Sequence, residues 1–171
     1  MTGPRLVTWL AIAAAAATLP ACTPRDAVSE HEIAMHVQRV GLDAQNLPVV
    51  LLEESGGSRW IAIWIGSAEA ESIAMSIDHV AGPRPNTHDL ASSVIDGLRG
   101  EVERVVVTDL RAGTYYATLA LRAGSRRVEI DARPSDAIAI ALRLRAPIFV
   151  RDHLLARDAG GGGDPSATPS I

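Results

Sequence analysis

VERVVVTD (Val102 to Asp109), YYATLALR (Tyr115 to Arg122) and RVEID (Arg127 to Asp131) follow one another with only short breaks. Gly113 and Gly124 fall in those breaks, where a tight reversal needs backbone conformations that glycine adopts freely. Three β-rich runs joined in this way predict an antiparallel meander. The next stretch, RPSDAIAIAL (Arg133 to Leu142), changes period. Pro134 stands at the favoured first position of a helix, and Ile138, Ala141 and Leu142 face inward from it. Pro147 ends that helix, and Ile148 to Val150 predicts one last short strand.

Upstream, a second helix is expected to start near Thr87, with Leu90, Val94, Ile95 and Leu98 at helical spacing until Gly100 stops it. The Gly/Pro stretch from Ala81 to Asn86 reads as its entry loop. An earlier helix opens at Gly66-Ser67, carries Glu69 and Glu71 in its first turns, and lays Ala70, Ile73, Ala74 and Ile77 along one stripe. Met35 to Val40 and Pro48 to Glu53 read as strands on either side of a turn around Asn46, and Gly56-Gly57 marks a further reversal. Trp60 to Ile65 is nearly all apolar, which predicts a central strand covered on both faces with Trp64 buried between Ile63 and Ile65. Strands in runs, with helices grouped beside them, argue for an α+β fold. We expect a single compact domain over residues 33–155, with a mixed or antiparallel sheet and about three helices.

The chain of 171 residues suits one domain. All 16 basic residues are arginine and the net charge is −4. That balance argues against a broad basic surface tracking phosphates, and leaves room only for a local site. The front end reads differently from the rest. Arg5 precedes an uncharged run from Leu6 to Leu19, whose length as a helix, about 21 Å, falls short of the ~30 Å bilayer core. Residues 1–21 therefore read as a signal peptide. The run ends in Leu19-Pro20-Ala21-Cys22, which resembles a bacterial lipobox apart from Pro20. Cys22 is the only cysteine, so it makes no intramolecular disulfide. The expectation is an exported lipoprotein, anchored to the membrane through lipidated Cys22 and facing the periplasm or cell exterior. Residues 22–32 would be a tether, and residues 156–171, with Gly160 to Gly163, a disordered tail.

The polar signals gather at helix starts. Arg84-Pro85-Asn86-Thr87-His88-Asp89 precedes the second helix, and Arg133-Pro134-Ser135-Asp136 precedes the third, just after Asp131. Much of this is what helix ends require: Thr87 and Ser135 as capping hydroxyls, Asp89 and Asp136 against the N-terminal dipole. Capping does not require His88, nor acids at so many element ends, including Glu69, Asp109 and Asp131. Carboxylates with a neutral histidine suit a divalent cation such as Mg or Mn, and metal-assisted phosphodiester hydrolysis. In that reading His88 is base or ligand. Asp89, Asp131 and Asp136 are metal or water ligands, Arg84 and Arg133 hold phosphate, and Glu69 assists. The two helix starts, with His88 and Asp136, are then expected to frame one cleft.

The motifs Ile63-Trp64-Ile65-Gly66 with Glu69-Ala70, Arg84-Pro85, Thr87-His88-Asp89, Asp131 to Ala137 and Pro147 to Val150 occur in one order along residues 33–151. Together they resemble the bifunctional nuclease family. The resemblance implies a compact α+β domain that cuts DNA and RNA, with the matching motif residues as candidates. It also sets expectations for partners: nucleic acid as substrate, the membrane through Cys22, and further copies of the chain. Two features sit apart from the family pattern, the export signal and the scarcity of aromatic residues. Outside residues 1–21 only Trp60, Trp64, Tyr115, Tyr116 and Phe149 offer rings for base stacking. The alternative is a non-catalytic binding or assembly module that keeps the fold and its helix caps.

Overall fold

The structure is a computed structural model and describes residues 31–157. The expected signal peptide, Cys22 and nearly all of the expected tether and tail lie outside the described residues.

In chain order the elements are β1 (Glu32–Leu42), β2 (Pro48–Glu54), β3 (Arg59–Trp64), α1 (Ser67–Ile77), α2 (Thr87–Gly97), β4 (Gly100–Arg111), β5 (Thr114–Ala123), β6 (Arg126–Ala132), α3 (Pro134–Leu144), β7 (Ile148–Arg151) and the two-residue β8 (Ala156–Arg157). One sheet takes all the strands in the order β6-β5-β4-β7-β1-β2-β3-β8. Over the described residues the fold is α+β, a single domain with a mixed sheet and three α-helices. The meander β4-β5-β6 is antiparallel, as the glycine-punctuated runs require. A second antiparallel unit, β1-β2-β3, forms the other half. β7 joins the halves, parallel to β4 on one side and antiparallel to β1 on the other. Ile148 and Val150 are buried there, which gives a four-residue strand enough apolar surface to hold the middle of the sheet.

α3 lies against β4 and β5 and packs beside α1 and α2. Ala137, Ile138, Ala139 and Ala141 are fully buried, so α3 is apolar on most of its circumference because it is covered on most of it. Ile73 of α1 joins the same core, with Val50, Leu52, Ile61 and Ile63 from β2 and β3.

Four expectations are corrected. β3 is not central: only β8 lies beyond it. Its alternation sends Ile61 and Ile63 into the core and Trp64 to the other face, where Trp64 is 37% exposed. An unbroken apolar run there reflects two environments, not one. On α2 the apolar residues do not form the inward stripe. His88, Ser92 and Ile95 face inward, while Leu90, Val94 and Leu98 are exposed on the opposite side. The cap of α2 is Asn86, not Thr87, and Arg133 at the N-cap of α3 makes no side-chain cap, Ser135 being buried instead. Finally, His31 and Glu32 of the expected tether and Ala156-Arg157 of the expected tail are ordered at the sheet, where Glu32 pairs with Arg151 and Ala156 with Trp60.

Candidate functional site

The start of α2 is built by a capping box. Asn86 Oδ1 accepts from the backbone N–H groups of His88 (2.9 Å) and Asp89 (3.0 Å), and Asp89 Oδ2 accepts from the Asn86 N–H at 2.9 Å. This satisfies helix-end donors and sets the direction in which His88 leaves the backbone. Because Asn86 Oδ1 faces two N–H groups, its amide nitrogen is fixed as the donor, and it donates to Ser72 Oγ at 3.1 Å.

Arg143, near the end of α3, closes the network. Its Nε donates to Asp89 Oδ1 at 2.6 Å, its Nη2 to Ser72 Oγ at 2.9 Å, and its Nη1 to the carbonyl of Ala139 at 2.9 Å. The hydrogen bond from Arg143, with that from the Asn86 backbone, holds the Asp89 carboxyl below its usual value. Ser72 is 4% exposed, and its hydroxyl oxygen already receives two hydrogen bonds. Its own proton therefore goes to His88 Nδ1, 2.8 Å away. That makes Nδ1 the acceptor and leaves the His88 proton on Nε2, which donates to Asp136 Oδ1 at 3.2 Å. Both ring nitrogens are thus engaged, so in this arrangement His88 orients its neighbours and has no free lone pair to act as a base.

Asp136 is also gripped by Arg133, whose Nε and Nη2 donate to its two oxygens at 2.7 and 2.8 Å. Burial pushes the Asp136 carboxyl up, but the hydrogen bonds from Arg133 and His88 outweigh it, and the net direction is down. Arg133 Nη2 reaches Glu69 Oε1 of α1 as well, at 2.6 Å. Glu69 is likewise held below its ordinary value, first by its own backbone N–H and then by Arg133. The two carboxylates in turn raise the Arg133 guanidinium, Asp136 first. Arg133 remains 65% exposed at the mouth of the cleft. A pocket of about 200 Å³ results, lined by Glu69, Ser72, Asn86, His88, Arg133 and Asp136 among others.

The two helix starts therefore meet, through His88 and Asp136, and they bring Glu69 and Arg133 with them. Not every candidate is there. Asp131 is exposed on β6 opposite Thr118 and does not line the cleft. Asp89 is turned toward Arg143, and Arg84 lines a separate depression with Asp89, Arg143 and Arg145. The expected metal trio is thus not gathered: Asp89, Asp131 and Asp136 point to three different surroundings. Among the described residues no group of three or more His, Cys, Asp or Glu side chains is placed to hold a metal ion. Sequence reasoning missed Ser72, Asn86 as the cap, and Arg143. The signal for the last was present, because Arg143 follows Asp136 by seven residues, two helical turns, and so shares its face.

The model of the bifunctional nuclease domain family matches residues 49–160, a stretch that contains every residue of this network. The chain belongs to the bifunctional nuclease domain family. An uncharacterized protein of Mycobacterium tuberculosis is 45% identical over 113 residues, covering 66% of this chain and 67% of that one. Bifunctional nuclease 2 of Arabidopsis thaliana is 30% identical over 118 residues, 67% of this chain and 36% of the plant protein. Bifunctional nuclease 1 of Oryza sativa subsp. indica is 26% identical over 121 residues, 69% of this chain and 37% of that protein. The chain thus spans little more than a third of these plant relatives.

Proposed function

We propose that the cleft between the starts of α2 and α3 hydrolyses phosphodiester bonds in nucleic acid. The observation that carries this is Arg133, an exposed guanidinium at the mouth of the cleft whose fork is held by two carboxylates, Asp136 and Glu69. A phosphate that takes over this fork bidentately frees both carboxylates at the reacting bond. Two carboxylates and one guanidinium already carry a net negative charge, so an incoming phosphate favours proton uptake by one carboxyl. Asp136, hydrogen-bonded by His88, stays ionised and accepts the proton of the attacking water as its oxygen bonds to phosphorus. Glu69 takes up the proton and delivers it to the leaving oxygen as the P–O bond breaks. Arg133 holds the charge that develops on the phosphoryl oxygens. The names of the plant relatives support nucleic acid as the substrate class.

The test is cleavage of labelled DNA and RNA oligonucleotides by the purified protein, with and without chelator and across pH. Cleavage should survive chelation, strengthen toward mildly acidic pH, and be abolished in Arg133→Ala and Asp136→Asn. Loss of all cleavage on chelation would instead restore a divalent cation (Mg or Mn) as the reagent, held by Asp136 and Glu69. Asp89→Asn is the opposite control, since the Asp89–Arg143 bond braces α2 against α3 and Asp89 does not line the pocket.

The completeness of the Ser72–His88–Asp136–Arg133 network also favours a second reading, a binding or assembly module without catalysis. Parallel loss of melting temperature and of binding in Asp136→Asn, with no cleavage by the parent protein, would establish that reading. The lipobox-like Leu19-Pro20-Ala21-Cys22 supports an exported, membrane-anchored form. Cys22→Ser should then abolish acyl labelling and leave an unprocessed precursor.

A further inference from the structure

Five aromatic side chains outside residues 1–21 are few for a protein that handles bases, but two of them share one groove. A depression of about 400 Å³ is lined by Trp64 and Ile65 at the end of β3, by Gly113, Thr114 and Tyr115 at the β4–β5 hairpin, and by Arg133 at the start of α3. Arg133 lines the polar cleft as well, so one guanidinium forms part of the wall of both.

Trp64 is fixed at its edge. Its indole N–H donates to Asp43 Oδ2 at 2.8 Å, and Asp43 Oδ1 accepts from the backbone N–H groups of Gln45 and Leu47 at 2.9 and 2.8 Å. One carboxylate therefore organises the β1–β2 turn and holds the ring, which is still 37% exposed. The indole's only donor is occupied, so what the ring has left to offer a ligand is apolar surface. A ring already held in place loses little freedom on binding, which favours stacking. Tyr115 is half-buried against the core, and burial pushes its hydroxyl up, so it meets a ligand as a neutral phenol. Gly113, at φ 76° in the hairpin turn, adds no side chain to that wall.

We propose that this groove is a base-binding subsite for unpaired nucleic acid, in which a base stacks on Trp64 beside Tyr115 while the adjoining phosphate reaches Arg133. The proposal rests on the reading of the polar cleft as a nucleic-acid site and adds a substrate class to it. Bases paired and stacked within a duplex do not present a free face to such a groove, whereas a single strand, loop or frayed end does. The net charge of −4 gives a duplex backbone no overall attraction to the chain, so a local stacking contact carries more of the selection.

The experiment compares binding of the full chain to a fluorescein-labelled oligothymidylate and to an abasic strand of the same length, by anisotropy. The abasic strand keeps every phosphate and lacks every base. The thymidylate should bind about tenfold more tightly than the abasic strand. Trp64→Ala should remove that advantage, and Trp64→Phe, which keeps a ring, should retain part of it. Arg133→Ala should weaken both strands alike. Equal affinity for the two strands in the parent protein, or a Trp64→Ala variant that still prefers bases, overturns the subsite alone while phosphate binding stands. Failure of the parent protein to bind either strand overturns the nucleic-acid reading of the cleft and the subsite with it.

Discussion

Helices α2 and α3 are each eleven residues long, and each starts at the same cleft, yet they meet the rest of the molecule in opposite ways. α3 is held by its body. Ala137, Ile138, Ala139 and Ala141 have no exposed surface, and its first residue has no side-chain cap. α2 is held by its start. Asn86 and Asp89 cap it, Arg143 clamps Asp89 from α3, and only Ser92 of its residues is buried. Leu90, Val94 and Leu98, the residues that look most like a core stripe, face away from the protein. Burial of apolar area, which fixes α3, is non-directional and tolerates small rotations. Hydrogen bonds to a capping side chain are directional. That difference explains how α2 can be oriented against its own apolar pattern and still deliver His88 to Asp136.

Substitutions in the two helices should therefore differ in size and in kind. The largest effect is expected for Ile138→Ala, which empties a fully buried position in α3 and should cost about 2–5 kcal/mol in chemical denaturation. Asn86→Ala should cost about 1 kcal/mol, because two backbone N–H groups and Ser72 lose a partner. Its sharper signature is local, with faster amide exchange at His88 and Asp89 than in the rest of α2. Exchange that rises uniformly over the whole protein would mean that the cap does not anchor this helix separately.

Acid should loosen the same contact. Asp89 has its folded value lowered, so its contribution is present above the unfolded carboxyl value near 4 and is lost as pH falls through the folded value. Asp89→Asn should flatten that part of the stability profile, and an unchanged profile would show that the Arg143 contact contributes nothing measurable. Leu98→Ala should have the smallest effect, within about 0.5 kcal/mol, since Leu98 is 74% exposed. A cost comparable to that of Ile138→Ala would mean that the outer face of α2 is covered in solution.

Most elements were legible as periodicity and punctuation. The glycine-separated runs from Val102 to Asp131 give β4, β5 and β6, and Pro134 marks the first residue of α3. These signals are local: side-chain alternation, turn chemistry and the fixed φ of proline act within a few residues. The positions of β3 and β7 were not legible. A strand's sequence records that it is apolar, but its rank in the sheet depends on which edges pair after the chain has closed. Ile148 to Val150 thus becomes the seam between two sheet halves, and Trp60 to Ile65 lies next to the short outermost strand.

The candidate site divides along the same line. His88, Glu69, Arg133 and Asp136 stood out as charged or titratable groups at helix starts, where free N–H groups and the helix dipole favour such residues. Which of them meet was set by the packing of α1, α2 and α3. That packing placed Asp131 outside the pocket, turned Asp89 toward Arg143, and enlisted Ser72 from the middle of α1. A serine inside a helix carries no mark of this in sequence. Its hydroxyl matters here because Asn86 and Arg143 occupy its lone pairs from two other helices, directing its proton to His88. The residue types and their local order come from the chain, whereas the protonation pattern follows from distances among side chains of three separate helices.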